Sequence, residues 1–355
     1  MEKTMKRRTF LQAMAATAML PYLNTKAYAA DRILQVGVYN SAQGALIKKE
    51  VAPVFERDYQ CRVLTTEGPT LANIAALRAT KNKPVYSVMS MDDIGVPQAK
   101  AEGLIEPLSA DEIPNLKSVF DRYVLGDSYG VGFSVSMAGL FINTGMMQPI
   151  NSYAEIFDPK YARQIILNTP KNTQSILMLI VAAALATGKP LHEAQYLIDQ
   201  GWEKLAQLKP NVMTVYDSEA QVMMVAQGQA MIGGIEYSKA IYPHTQKGVP
   251  LDMTYPQEGA FTGINGLALV KGAPQRELGL AWINRLLEPS VQKMLAEATL
   301  SAPTVRGIEF DAATLKYLAY PESRMQELNL FTPDWSYIIP RRAELLEKYN
   351  QTFSG

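Results

Sequence analysis

Two adjacent carboxylates, Asp92 and Asp93, stand between the apolar run Val85-Tyr86-Ser87-Val88-Met89 and a helical stretch from Pro97 to Glu102 closed by Gly103. The first run has the composition and length of a buried strand. Pro97 suits a first helical turn and Gly103 a helix end. A strand handing over to a helix places the pair at the edge of an open α/β sheet where ligands bind. Paired carboxylates there suit an ammonium group, through charge-assisted hydrogen bonds. One Asp capping the helix while its neighbour is solvated fits the local pattern equally well.

Further polar groups fall at similar exits. Tyr39 ends the first strand and Asn40 and Ser41 follow it, and Glu236 and Tyr237 follow the strand 231–235. Lys171, Asn172, Thr173 and Ser175 open the apolar helix 176–186, whose free N–H groups can receive an anion or acceptor. Thr173 or Ser175 as an ordinary cap accounts for the same residues. Glu236 reads equally as a surface residue, and Glu258 as a brace for a hinge loop. Taken together these groups suit a ligand with an amine, with or without an acid group.

Such positions need a scaffold. Strands at 33–39, 61–65 and 85–89 alternate with helices at 45–59 and 70–79, the second capped by Thr70. This alternation predicts a parallel, doubly wound sheet. The small and apolar run 129–136, continuing to Asn143, reads as a crossing into a second lobe, and strand 266–270 as the return. The expected organisation is an α/β fold of two lobes, each a doubly wound sheet flanked by helices, with a ligand cleft between them. Lobe 1 takes 30–137 and 268–325, lobe 2 takes 138–267, and a helical tail at 326–355 packs outside.

The first 29 residues read as an export signal. Lys6-Arg7-Arg8-Thr9-Phe10-Leu11 precedes an apolar run to Leu23 and an Ala27-Tyr28-Ala29 ending. The arginine pair fits a twin-arginine signal. Cleavage after Ala29 predicts a periplasmic protein with 29 basic against 33 acidic residues, a balance that does not favour nucleic acid. Cys61 is the single cysteine, which excludes an intrachain disulfide, and its apolar setting predicts a buried thiol. The longest later apolar run, 176–186, falls short of the roughly 20 residues a bilayer span needs. His192 and His244 have no second ligand at metal spacing, and no nucleophile elbow, phosphate loop or dinucleotide fingerprint occurs. Neither a catalytic residue nor a cofactor is therefore expected, although twin-arginine export leaves an exported enzyme as a distant alternative.

Several segments carry a resemblance. They include Val38-Tyr39-Asn40, Met91-Asp92-Asp93 with Ala101 to Leu108, and Tyr255 to Ala260. Ala268 to Pro274, Ala281 to Pro289, and the ending from Asp334-Trp335-Ser336-Tyr337 through Asn350 extend it over nearly the whole chain. These residues resemble a bacterial periplasmic solute-binding protein of an ABC importer, in the type II group that includes spermidine/putrescine, ferric-ion and aminoethylphosphonate binders. The resemblance implies a two-lobed type II binding-protein fold, ligand residues at Tyr39, Asn40, Ser41, Asp92, Asp93, Asn172, Thr173, Ser175, Glu236, Tyr237 and Asn265, a monomer, and a membrane permease as partner.

It also implies capture of a polyamine-like or zwitterionic amine by lobe closure, with ferric ion or a phosphonate or organic anion as alternatives. The chain departs from the polyamine binders at Gly263 and Asn265, where they resemble one another in having an aromatic and an acid. It departs from the ferric binders in lacking a Tyr-Tyr pair, since Tyr237 stands alone.

Overall fold

The computed structural model describes residues 32–353, so the leader read at residues 1–29 lies outside the described residues. The chain begins with β1 (Ile33–Val38), β2 (Arg62–Glu67) and β3 (Val88–Asp92), which pair in parallel around β1. Short pieces β4 (Ile105–Glu106) and β5 (Val124–Leu125) lead into the fourteen-residue β6 (Gly130–Asn143), buried along its entire length. A second parallel set follows, β7 (Ile165–Asn168), β8 (Val212–Tyr216) and β9 (Ile232–Tyr237), centred on β7. β10 (Leu251–Thr254) and β11 (Phe261–Val270) complete the described strands.

The main path of the sheet is β2-β1-β3-β11-β6-β9-β7-β8. The parallel winding expected from the sequence holds on both flanks. At the centre it gives way to β6 and β11, which pair antiparallel from Phe261↔Ala138 to Leu267↔Val131. A chain that leaves one flank along β6 and comes back along β11 must run in opposite senses there. The register slips between Asn265 and Gly266, a bulge of the kind that bends a ladder locally.

Local chemistry moved several boundaries. β3 lies three residues later than its apolar run suggested, because β11 holds it from Leu269↔Val88 to Asn265↔Asp92. The first helix is α1 (Ala42–Leu46), a π-helical stretch Ile47–Val51, and α2 (Ala52–Tyr59). Pro53 has no N–H to offer the carbonyl four residues before it, and the wider turn absorbs that loss. α3 (Thr70–Ala79) starts with Pro69 in the cap position, so Thr70 is not the cap. The helix expected over 191–207 breaks at Leu197, whose backbone leaves the helical region.

The buried apolar side chains form two clusters. One gathers Leu34, Val36 and Phe55 with Trp282. The other surrounds α5 (Gln174–Thr187) and includes Trp335, Leu345 and Tyr349. The C-terminal segment is thus keyed into a core rather than resting outside. Cys61 is buried, and burial raises its thiol pKa. Among the described residues no single helix is long and apolar enough to cross a membrane.

Candidate functional site

The centre of the sheet delivers three elements to one place: the end of β3, the bulge of β11, and the end of β9. Asp92 is the last residue of β3, and α4 (Gly95–Ala101) begins three residues on. Its Oδ1 accepts the Gly95 N–H at 2.9 Å, and its own N–H donates to the Thr70 hydroxyl at 3.2 Å. Ile94 holds the cap position of α4, so Asp92 is not the cap, although it satisfies the first helical N–H. Asp93 is 7% exposed, and the Trp335 indole N–H donates to its Oδ2 at 3.1 Å.

Burial and then the neighbouring Asp92 charge push the Asp93 carboxyl up to about 8. Burial also raises Asp92, against the Thr70 and Gly95 hydrogen bonds that favour its charged form. Burial and the like charge of the neighbour therefore both work against ionising the two carboxyls together.

Tyr39 leaves β1 toward this corner. The Gly44 backbone seats directly over the Tyr39 carbonyl, where a Cβ would collide. The Tyr39 hydroxyl is buried without a hydrogen-bond partner. Burial and the Asp92 charge hold its phenol well above the usual value. Asn265, opposite Asp92 in the ladder, donates to Gln43 Oε1 at 2.8 Å.

The far wall is β9. Glu236 is 2% exposed, and its Oε1 accepts from Gln174 Nε2 at 3.0 Å and the Tyr237 N–H at 2.8 Å. Asn168 Nδ2 donates to Oε2 at 3.4 Å and to Gln221 Oε1 at 2.9 Å. The surface reading of Glu236 is thereby overturned: it is the centre of a buried amide cage.

The Tyr237 ring lies against Gly263, occupying the space a side chain there would fill. An aromatic face is thus present at the crossing but is supplied by β9 instead of β11. Burial, then Asp93 and Asp92, raise the Tyr237 phenol well above its usual value.

Sequence reasoning missed Lys239, at the second position of the helix Ser238–Thr245. The residue is exposed, yet the protein around its ammonium lowers its pKa against the pull of Asp92, Glu236 and Asp93. Its Nζ stands 5.7 Å from the Tyr237 ring centroid. A lysine two residues beyond a strand-end carboxylate was the available signal. Trp335 was also missed, being 242 residues from Asp93 in the chain.

Among the described residues, Ser41, Thr173 and Ser175 make other contacts. Asn40 is exposed, and Ser41 caps α1 by accepting the Gly44 N–H at 3.2 Å. At the start of α5, the buried Ser175 donates its hydroxyl to the Asn172 carbonyl at 2.8 Å, and Thr173 makes no side-chain cap bond. Lys171 is exposed, with its carbonyl taken by Arg342 at 3.0 Å. Glu258 accepts from Ser152 Oγ and, at 3.2 Å, from the Tyr153 N–H, as a brace would. It also lines a hollow of about 910 Å³ with Arg122, His192 and Phe331, away from the acid corner. Among the described residues no three His, Cys, Asp or Glu side chains gather as metal ligands would.

A family model described as bacterial extracellular solute-binding protein matches residues 52–319. The chain belongs to that family. This solute-binding protein is 22% identical, over 258 residues, to the spermidine/putrescine-binding periplasmic protein of Salmonella typhimurium, covering 70% of this chain and 72% of that one. Its fold matches a putative extracellular solute-binding protein from Bordetella parapertussis with a TM-score of 0.78 at 18% identity, over 91% of this chain and 99% of that one. It also matches a Trichodesmium protein solved with iron and citrate, with a TM-score of 0.70 at 17% identity, over 90% and 99%. The architecture is the two-lobed type II periplasmic-binding-protein fold.

Proposed function

We propose that this solute-binding protein is the capture component of an ABC importer and takes up a small solute bearing an amine. The observation that carries the reading is the Asp92–Asp93 corner. Two carboxyls share a buried site, and the second is pushed up to about 8 by burial and then by the charge of the first. An ammonium placed there would restore both charges and receive charge-assisted hydrogen bonds. The Tyr237 ring offers a face suited to an alkylammonium. Burial and the acids raise the Tyr39 and Tyr237 phenols well above their usual value.

Capture proceeds by closure of the two lobes about β6 and β11, near 134–140 and 262–267. Ligand contacts from both walls favour the closed state by differential affinity. The closed form then docks on a membrane permease from the periplasmic side, in keeping with relatives named as periplasmic. The protein acts as a monomer and performs no chemistry on its cargo.

Native mass spectrometry of the exported protein, with identification of the small molecule freed on denaturation, tests this reading. A released amine is expected, and calorimetry with it should show Asp92→Ala or Asp93→Ala losing about 1.5–3 kcal/mol of binding. A released anion without an amine, or unchanged affinity in both variants, would remove the amine reading.

A further inference from the structure

Resting on that reading, we propose that the cargo carries an anionic oxygen group beside its ammonium, and that Lys239 is the side chain that recognises it. Lys239 projects from the wall opposite the acid corner, two residues beyond Tyr237, whose ring packs on the β11 crossing. The residue is exposed, and its ammonium is within Coulombic reach of Asp92, Glu236 and Asp93. Among the described residues it forms no ion pair within 4.0 Å with any of them. A flexible four-carbon stem could close onto an acid if neutralising it were its role. Instead the Lys239 ammonium stands 5.7 Å from the Tyr237 ring centroid.

A second observation points the same way. Ser238, next to Lys239, is 1% exposed, and its hydroxyl is buried with no hydrogen-bond partner. It opens the helix Ser238–Thr245, whose cap residue Tyr237 makes no side-chain cap bond. The first N–H groups of a helix lack partners within it and favour an anionic oxygen. Glu236 takes the Tyr237 N–H at 2.8 Å, which leaves the N–H groups after it for another acceptor. Ammonium, hydroxyl and helix start are together a donor set for carboxylate or phosphonate oxygen. A cargo with a second ammonium at this end would meet Lys239 as a like charge. The expected cation for an acid group thereby moves from the exposed Lys171 to Lys239.

The test is calorimetric titration of the full protein with two matched series, α,ω-diamines and ω-amino acids of two to six carbons, plus 2-aminoethylphosphonate. The best zwitterion should bind the native protein at least tenfold more tightly than the best diamine. Lys239→Gln should weaken the zwitterion at least tenfold and leave or improve the diamine, while Lys239→Arg keeps the native order. Preference of the native protein for a diamine, or equal losses for both series in Lys239→Gln, overturns the assignment of Lys239 and leaves the amine reading standing. Binding of neither series overturns both.

Discussion

Glu236 and Asp93 are both buried carboxylates near strand ends, and the protein treats them in opposite ways. Glu236 is met by fixed neutral donors, Gln174, Asn168 and its own neighbour's N–H. Asp93 is met by one indole N–H, by backbone groups at Asp93 and Ile264, and by a second carboxylate. A charge surrounded by preset dipoles needs nothing more from outside. One placed beside a like charge remains open to a cation. The contrast separates a carboxylate that holds the wall together from one suited to receive cargo.

The largest effect that tests this contrast is on pH dependence. Asp93 titrates at about 8 when folded and near 4 when unfolded. Between those values the folded chain keeps a proton that the unfolded chain has released. This contribution to stability is complete below about pH 4 and is lost as pH rises through about 8. Thermal unfolding of the ligand-free protein from pH 6 to 9 should show a falling melting temperature that Asp93→Asn flattens. Ammonium binding, which favours the ionised acid, should strengthen over the same interval and release a proton.

Next comes Glu236→Ala, which strands the Gln174 amide and the Tyr237 N–H. Urea unfolding should show a loss of about 2–4 kcal/mol, whereas Asp93→Asn should cost almost nothing. Equal costs for the two substitutions would erase the distinction drawn between these acids. Gly263→Ala drives a methyl into the Tyr237 ring, with an expected cost of about 1–3 kcal/mol and weaker amine binding by calorimetry. Loss of stability without loss of binding would make that ring packing alone. The smallest effect belongs to Trp335→Phe, which keeps most of the ring and removes the N–H. About 1 kcal/mol of stability should go, and the Asp93 carboxyl should move further up, readable as a shifted pH midpoint.

How much of this was legible in the sequence follows from the range of each interaction. The Asp pair, the strand-helix handover and the two crossings are written in local composition, and the alternating pattern led to the right fold class. The centre of the sheet was less visible, because the antiparallel β6–β11 pairing depends on partners over a hundred residues apart. Tyr237 was identified, but its placement against Gly263 depends on that pairing. Lys239 reads locally as a solvated first-turn residue, and only the register of β9 brings it near the acids. At Asn172, Thr173 and Ser175 the polar types were those of a ligand loop, yet Ser175 spends its hydroxyl on the loop's own backbone.

The chain has three tryptophans, Trp202, Trp282 and Trp335. Trp202 and Trp282 sit in the hydrophobic clusters, while the Trp335 indole touches Asp93 directly. Indole emission is sensitive to a proton or a cation arriving at a group it hydrogen-bonds. The protein therefore carries a built-in dye at the acid corner, and a Trp202→Phe, Trp282→Phe background would let unlabelled fluorescence follow occupancy of that corner in real time.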